Sequence, residues 1–197
     1  LTNILWAPLQ DKIAGVSLSA NWMWPCKNPG EDARLYEAVE ALSEFCLQLG
    51  INVPTGKDSL SMTQKYKDGK KVYAPGTVIV SGAAQVTDVK KAVTPVLKNM
   101  AEAAILYIDF SKDERKLGGS SFAQIINTIG NDCPDVTDTN YFARAFNALQ
   151  QLIDNGLILA GHDISSGGLV TTLLEMAFAD NNLGLEIDLS ALNEDDP

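Results

Sequence analysis

The sequence predicts a mixed α/β (α+β) fold arranged as two units, and three observations predict it. An amphipathic run from Glu31 to Leu49 closes at Gly50, a helix with a glycine stop. Alternating apolar runs, Ser59 to Tyr66 and Val72 to Val86, flank the turn sequence Lys67-Asp68-Gly69-Lys70 and predict an antiparallel pair. Beyond a polar stretch from Thr87 to Met100, which carries Thr94-Pro95, short apolar runs and helical patterns begin again. The boundary is placed in that stretch, giving units 1–92 and 93–197.

In chain order, Leu1 to Leu9 has apolar residues at helical spacing until Pro8 interferes, and predicts the end of a helix cut at its front. Ile13 to Met23 alternates as a strand, Pro25 to Gly30 is a turn, and the strand after Gly50 leads to a Gly56-Lys57-Asp58-Ser59 turn. In the second unit, Ala104 to Phe110 predicts a short buried strand. Gly118-Gly119-Ser120-Ser121 opens a helix to Ile129, and Tyr141 to Asn155 is a helix ending at Gly156. A strand from Ile158 to Ala160, a helix from Gly168 to Asp180, a strand from Leu183 to Leu189 and a frayed acidic tail from Asn193 follow.

Composition narrows the function. With 197 residues and 46% hydrophobic content the chain can fill cores. A net charge of −10 argues against nucleic acid, which requires clustered Lys and Arg; the basic run Lys65 to Lys71 is explained by a hairpin loop. No apolar run approaches the roughly 20 residues that cross a bilayer, so no membrane role is expected. The three cysteines, Cys26, Cys46 and Cys133, lack metal spacing and suggest free thiols of the cytoplasm. The start Leu1-Thr2-Asn3, without methionine, suggests an internal segment.

Two segments carry chemistry. In Gly161-His162-Asp163-Ile164-Ser165-Ser166-Gly167-Gly168, a carboxylate suited to Mg²⁺ and two hydroxyls lead into a helix start, where unpaired N–H groups attract anions. The plainer reading is an N-cap made by Asp163 or a serine. Gly56-Lys57-Asp58-Ser59 offers a cation and a carboxylate at one spot, yet it is not a P-loop, because Asp58 stands where that motif needs Ser or Thr. His162 suits a general base by its ordinary pKa, but orienting Asp163 is the simpler role. Trp22, Met23 and Trp24 suit packing better than base stacking.

Taken together, Leu1-Thr2-Asn3, Leu18-Ser19-Ala20-Asn21-Trp22-Met23, Pro29-Gly30-Glu31-Asp32-Ala33-Arg34, Gly56-Lys57-Asp58-Ser59-Leu60-Ser61-Met62 and His162-Asp163 occur in the order seen in a known family. The chain resembles the large single-chain phosphoribosylformylglycinamidine synthases of purine biosynthesis, along nearly its whole length. The resemblance implies a two-domain AIR synthase-like (PurM-like) architecture with its N-terminal part missing, drawn from the second of two similar halves. It implies Asn3 and Asp163 as Mg²⁺ ligands with Asp58 as a further metal residue, and Ser165, Gly56 and Lys57 at the nucleotide, ATP or ADP. A family glutamate one helical turn ahead of Asn3 falls upstream of Leu1, and Ser166 stands where the family usually has an acid.

The same resemblance implies ATP-driven conversion of formylglycinamide ribonucleotide to its amidine, using nitrogen from glutamine. Partners would be the small-molecule substrates and the remaining domains of a longer chain, including a glutaminase domain. This piece alone would have no turnover. An apolar face exposed at the shortened first helix would promote a homodimer of the piece. Alternatives on the same fold are aminoimidazole ribonucleotide synthase, selenophosphate synthetase or thiamine-monophosphate kinase. A non-catalytic half that holds nucleotide structurally is a further alternative.

Overall fold

The computed structural model describes residues 1–100, 102–178 and 184–192. Strand β1 (Ser17–Met23) is central in a three-stranded sheet, between β2 (Asn52–Ser59) and β5 (Thr77–Ala83). Helix α1 (Glu31–Leu49) follows it and returns the chain to β2 (Asn52–Ser59), parallel to β1 from Ser17 opposite Asn52 to Met23 opposite Ser59. A parallel neighbour needs such a crossover, and α1 supplies it. Gly50 at φ 70° closes α1, its N–H reaching the carbonyls of Cys46 and Leu47.

The hairpin differs from expectation. Strands β3 (Thr63–Lys65) and β4 (Lys71–Tyr73) pair as a short ribbon around the predicted turn. Pro75 interrupts the longer run, and β5 (Thr77–Ala83) pairs antiparallel with β1, Met23 lying opposite Thr77. Gly56 to Ser59 is no turn; it belongs to β2. A Cβ at Gly56 would collide with the Ala20 carbonyl oxygen, so glycine here lets two strands approach closely.

Leu1 to Leu9 is a chain of turns, with Leu9 bridging to Val86. The helix expected here is displaced because the backbone bonds outward: Gln10 N–H to Gln85 O at 2.8 Å and Thr87 N–H to Pro8 O at 2.9 Å. Ile13 to Gly15 lies in a 3-10 turn (Lys12–Gly15) ahead of β1.

Beyond Thr87, α2 (Ser121–Ile125) is shorter than expected, and its N-cap Ser120 accepts a hydrogen bond from Ala123 N–H. Helix α3 (Thr139–Asp154) begins two residues before the predicted start because Asp138 caps it, accepting from Tyr141 N–H at 2.8 Å. Helix α4 (Gly168–Ala177) follows the His162-Asp163 loop. The strands expected at Ala104–Phe110 and Ile158–Ala160, and through the described part of Leu183–Leu189, do not form. Apolar content makes a strand only where a partner ladder exists, and Ile105, Leu106 and Tyr107 instead remain exposed. The expected tail from Asn193 and the end of the last helix at Asp180 lie outside the described residues.

One core draws on both sides of Ala92. Leu5, Leu9, Ile13, Val16, Leu18, Cys46, Leu49 and Ile51 pack with Phe142, Phe146 and Leu149 of α3. Phe142 stands edge-on to Phe45 of α1, ring centres 5.7 Å apart, a favoured aromatic geometry. Helix α3 thus joins the sheet unit to the second half.

Candidate functional site

The turn segment Leu1–Leu9 is held by a side chain that the sequence reading passed over. Gln150 of α3 is 1% exposed; its Oε1 accepts from Leu9 N–H at 2.7 Å, and its Nε2 donates to Leu5 O at 2.6 Å and Ala7 O at 3.0 Å. Asn147 Oδ1, one turn earlier, accepts from Ile13 N–H at 3.3 Å. A glutamine within an apolar stripe of Phe142, Phe146, Leu149 and Ile153 is the signal that marks it, because a buried amide needs polar partners.

That clamp fixes the Leu1–Leu9 segment, on which Asn3 is exposed. The Leu1 amino group is close enough to Asp163 for their charges to interact, although burial outweighs that attraction and pushes its pKa down. Trp6 is the floor under the loop: its ring fills the space where a side chain on Gly161 would lie. Gly161 N–H donates to Thr94 O at 3.1 Å, and Val93 N–H donates to Trp6 O at 2.7 Å. Leu1 to Trp6, Thr94 and the Gly161–Asp163 loop therefore form one packed corner.

Within the corner, Asp163 is partly buried, and its Oδ1 lies 3.7 Å from His162 Nδ1. His162 is occupied on both ring nitrogens: Nδ1 lies 2.7 Å from Asp163 O, and Nε2 lies 3.2 Å from Glu175 Oε2. It is thereby oriented between two acids and is not poised to take a substrate proton. Ser165 and Ser166 are exposed, and neither caps α4, whose N-cap Gly167 makes no side-chain bond. The side-chain capping interpretation fails, but Gly168 N–H, the first of α4, already donates to the Ser165 carbonyl at 2.9 Å. Ser166 O accepts from Ser121 N–H at 2.9 Å, which ties α2 to the loop.

The Gly56–Asp58 segment stands elsewhere. Asp58 and Lys57 are exposed on β2, Asp58 opposite Trp22 of β1, and Lys57 Nζ contacts Ser59 Oγ. Ile4 approaches the sheet at Gly82, which is opposite Leu18. Trp22 and Leu18 are four positions apart on β1, so Asp58 is displaced from the Ile4 contact by about 13 Å along the strand, at about 3.3 Å per residue. Among the described residues no three His, Cys, Asp or Glu side chains cluster as a metal cage. The segment brought toward the Asp163 carboxylate is the one that carries Asn3, two residues after the Leu1 amino group. An amide and a carboxylate, as Asn3 and Asp163 offer, fit Mg²⁺, which takes one or two protein oxygens and keeps its other positions for water and phosphate.

Comparison with known proteins places the chain in a family. Residues 1–85 match a family described as the FGAR-AT PurM_N-like domain, and residues 104–197 match the AIR synthase related protein, C-terminal domain. The chain is 46% identical over 192 residues to a protein of Arabidopsis thaliana named probable phosphoribosylformylglycinamidine synthase, chloroplastic/mitochondrial. That alignment covers 97% of this chain and 13% of the relative. It is 42% identical over 205 residues to a Caenorhabditis elegans protein named probable phosphoribosylformylglycinamidine synthase, covering 98% of this chain and 15% of that one. The chain therefore spans about one seventh of the length of these relatives. Both of its domain types, in order, and its relatives' shared name make the chain a member of the phosphoribosylformylglycinamidine synthase family.

Proposed function

We propose that this chain supplies part of a Mg²⁺–nucleotide site in an ATP-dependent ligase that converts formylglycinamide ribonucleotide to formylglycinamidine ribonucleotide. The observation that carries the reading is the seating of the Leu1–Trp6 segment against the Gly161–Asp163 loop, which leads into a start of α4 that has no side-chain cap. In this reading Asn3 and Asp163 hold the ion, and the Ser165 hydroxyl with the α4 N–H groups after Gly168 meets nucleotide phosphate oxygens. Lys57, Asp58 and Gly56 face the nucleotide from the sheet, with Asp58 as a further metal residue.

The reaction explains why such a corner is needed. An amide oxygen is a poor leaving group; transfer of the ATP γ-phosphoryl group to it creates a good one, which ammonia then displaces as phosphate. Mg²⁺, when bound, neutralises phosphate charge. The residues of this chain hold and orient: Gln150 fixes the Asn3 segment, Trp6 supports the loop, and His162 keeps Asp163 in place. Glutamine-derived ammonia and the remaining substrate contacts come from other parts of a longer polypeptide, including a glutaminase domain, and the 197-residue piece has no turnover of its own. The piece comprises parts of two domains, 1–92 and 93–197, and three free cysteines suit the reducing cytoplasm.

A nucleotide-holding half without direct catalysis is favoured by one observation, the engagement of both His162 ring nitrogens. Asp163→Asn in the full-length enzyme separates the readings. Loss of turnover with bound ADP retained supports direct participation, and loss of ADP with turnover surviving supports the structural role. Retention of both overturns the site.

A further inference from the structure

Asp163 is held by its backbone and left free at its carboxylate. Among the described residues no hydrogen bond engages either carboxylate oxygen, and Oδ1 lies 3.7 Å from His162 Nδ1, beyond hydrogen-bond reach. Its carbonyl oxygen, by contrast, is approached twice. His162 Nδ1 is 2.7 Å away, and Thr172 Oγ1 is 3.5 Å away. A carbonyl only accepts, so Nδ1 donates to it. The peptide that aims the carboxylate is therefore set by the imidazole ring, and the ring by whatever holds its far side.

That far side meets Glu175, whose Oε2 is 3.2 Å from His162 Nε2. Glu175 follows Gly168 by seven residues, about two turns along α4, on the face that also carries Thr172. The buried Thr172 hydroxyl donates to Gly168 O at 3.1 Å. Helix physics alone does not call for an acid at this position: Glu175 lies in the last turn of α4, the end at which negative charge is unfavourable. An ion pair on a half-exposed helix surface also adds little stability. The partner, the chain's single histidine, supplies the reason for the glutamate.

We propose that Glu175 is a positioning residue for the metal–nucleotide corner: by holding the outer edge of His162 it fixes the Asp163 peptide, and so the direction of the carboxylate that takes the ion. This role rests on the reading of Asp163 as an ion ligand. Glu175 acts through His162 and within one loop and the helix that follows it. Removing a group that orients a metal-binding carboxylate lowers metal affinity by about 10–100-fold.

Mn²⁺ binding to the full-length enzyme with ADP, followed through the electron paramagnetic resonance signal of the free ion, tests it. The difference between wild type and Asp163→Asn isolates the ion held at Asp163 from ions elsewhere in the polypeptide. Glu175→Met weakens that ion about tenfold, while metal-free ADP binding and the melting temperature stay as in wild type. Glu175→Gln, which keeps a polar contact to Nε2, restores most of the affinity. In a His162→Phe background Glu175→Met produces no further loss, because the two residues act as one unit. An Asp163-dependent ion indifferent to Glu175→Met overturns the positioning role alone. So does a loss that glutamine fails to rescue, that persists without His162, or that comes with a lower melting temperature. Unchanged Mn²⁺ binding in Asp163→Asn overturns the ion site itself, and the role of Glu175 with it.

Discussion

Replacing Gln150 with methionine keeps the volume of the side chain and removes all of its hydrogen bonds. Leu9 N–H, Leu5 O and Ala7 O then lose their partners at 2.7, 2.6 and 3.0 Å. Leu9 and Leu5 are 5% and 1% exposed, so water does not replace the amide there, while the Ala7 bond is only partly buried. An orphaned buried group costs about 1–3 kcal/mol, and a carbonyl tolerates the loss better than an N–H. The expected destabilisation is about 2–4 kcal/mol, read as a lower urea midpoint at constant slope. Gln151→Met, on the exposed neighbour, stays within about 0.5 kcal/mol of wild type. Gln150→Glu is worse than methionine at neutral pH, because a carboxylate accepts only and faces two carbonyls. Burial raises its native pKa, so the deficit narrows as pH falls and a donor is restored. A Gln150→Met variant as stable as wild type refutes the clamp.

Other consequences are independent of that clamp. Phe146→Ala, at a fully buried centre, lowers stability by about 3–5 kcal/mol in the same urea titration. Gly161→Ala drives a methyl group into the Trp6 ring and moves the His162-Asp163 loop; Trp fluorescence changes and Mg²⁺–ADP affinity falls, whereas Gly184→Ala, in open space, alters neither. Asp138 has its pKa lowered by the Tyr141 N–H bond first and then by Lys112, so its stabilisation is present above the ordinary 3.8, shrinks below that and is gone past the native value. Asp138→Asn, which retains a cap acceptor, therefore flattens the acid limb of a stability-versus-pH curve; an unchanged limb contradicts the assignment.

Legibility in the sequence followed local physics. Glu31 to Leu49 was readable to the residue because its apolar period and Gly50 stop agree, and α3 was displaced only where Asp138 adds a cap. Elements that depend on distant partners were not readable. Gly56-Lys57-Asp58 has turn chemistry, yet Ala20 on β1 draws it into a strand. Leu1 to Leu9 has helical spacing, yet Gln150, over 140 positions away, holds it in turns. For the site, the sequence named Asn3 and Asp163 through resemblance, but Gln150, Trp6 and Thr94, which tie the Leu1–Leu9 segment and the Gly161 loop into one corner, are visible only in the fold.

The central claim is that the Asn3 segment and the Asp163 loop share one divalent ion at a nucleotide phosphate. Paramagnetic Mn²⁺ with ADP, followed through the backbone amide signals of this chain, reads that claim directly. The account predicts that signals from Thr2 to Ile4 and from Gly161 to Ser165 broaden together at substoichiometric Mn²⁺, and that Asp163→Asn abolishes both effects. Broadening confined to one of the two segments, or centred on Asp58 alone, contradicts it.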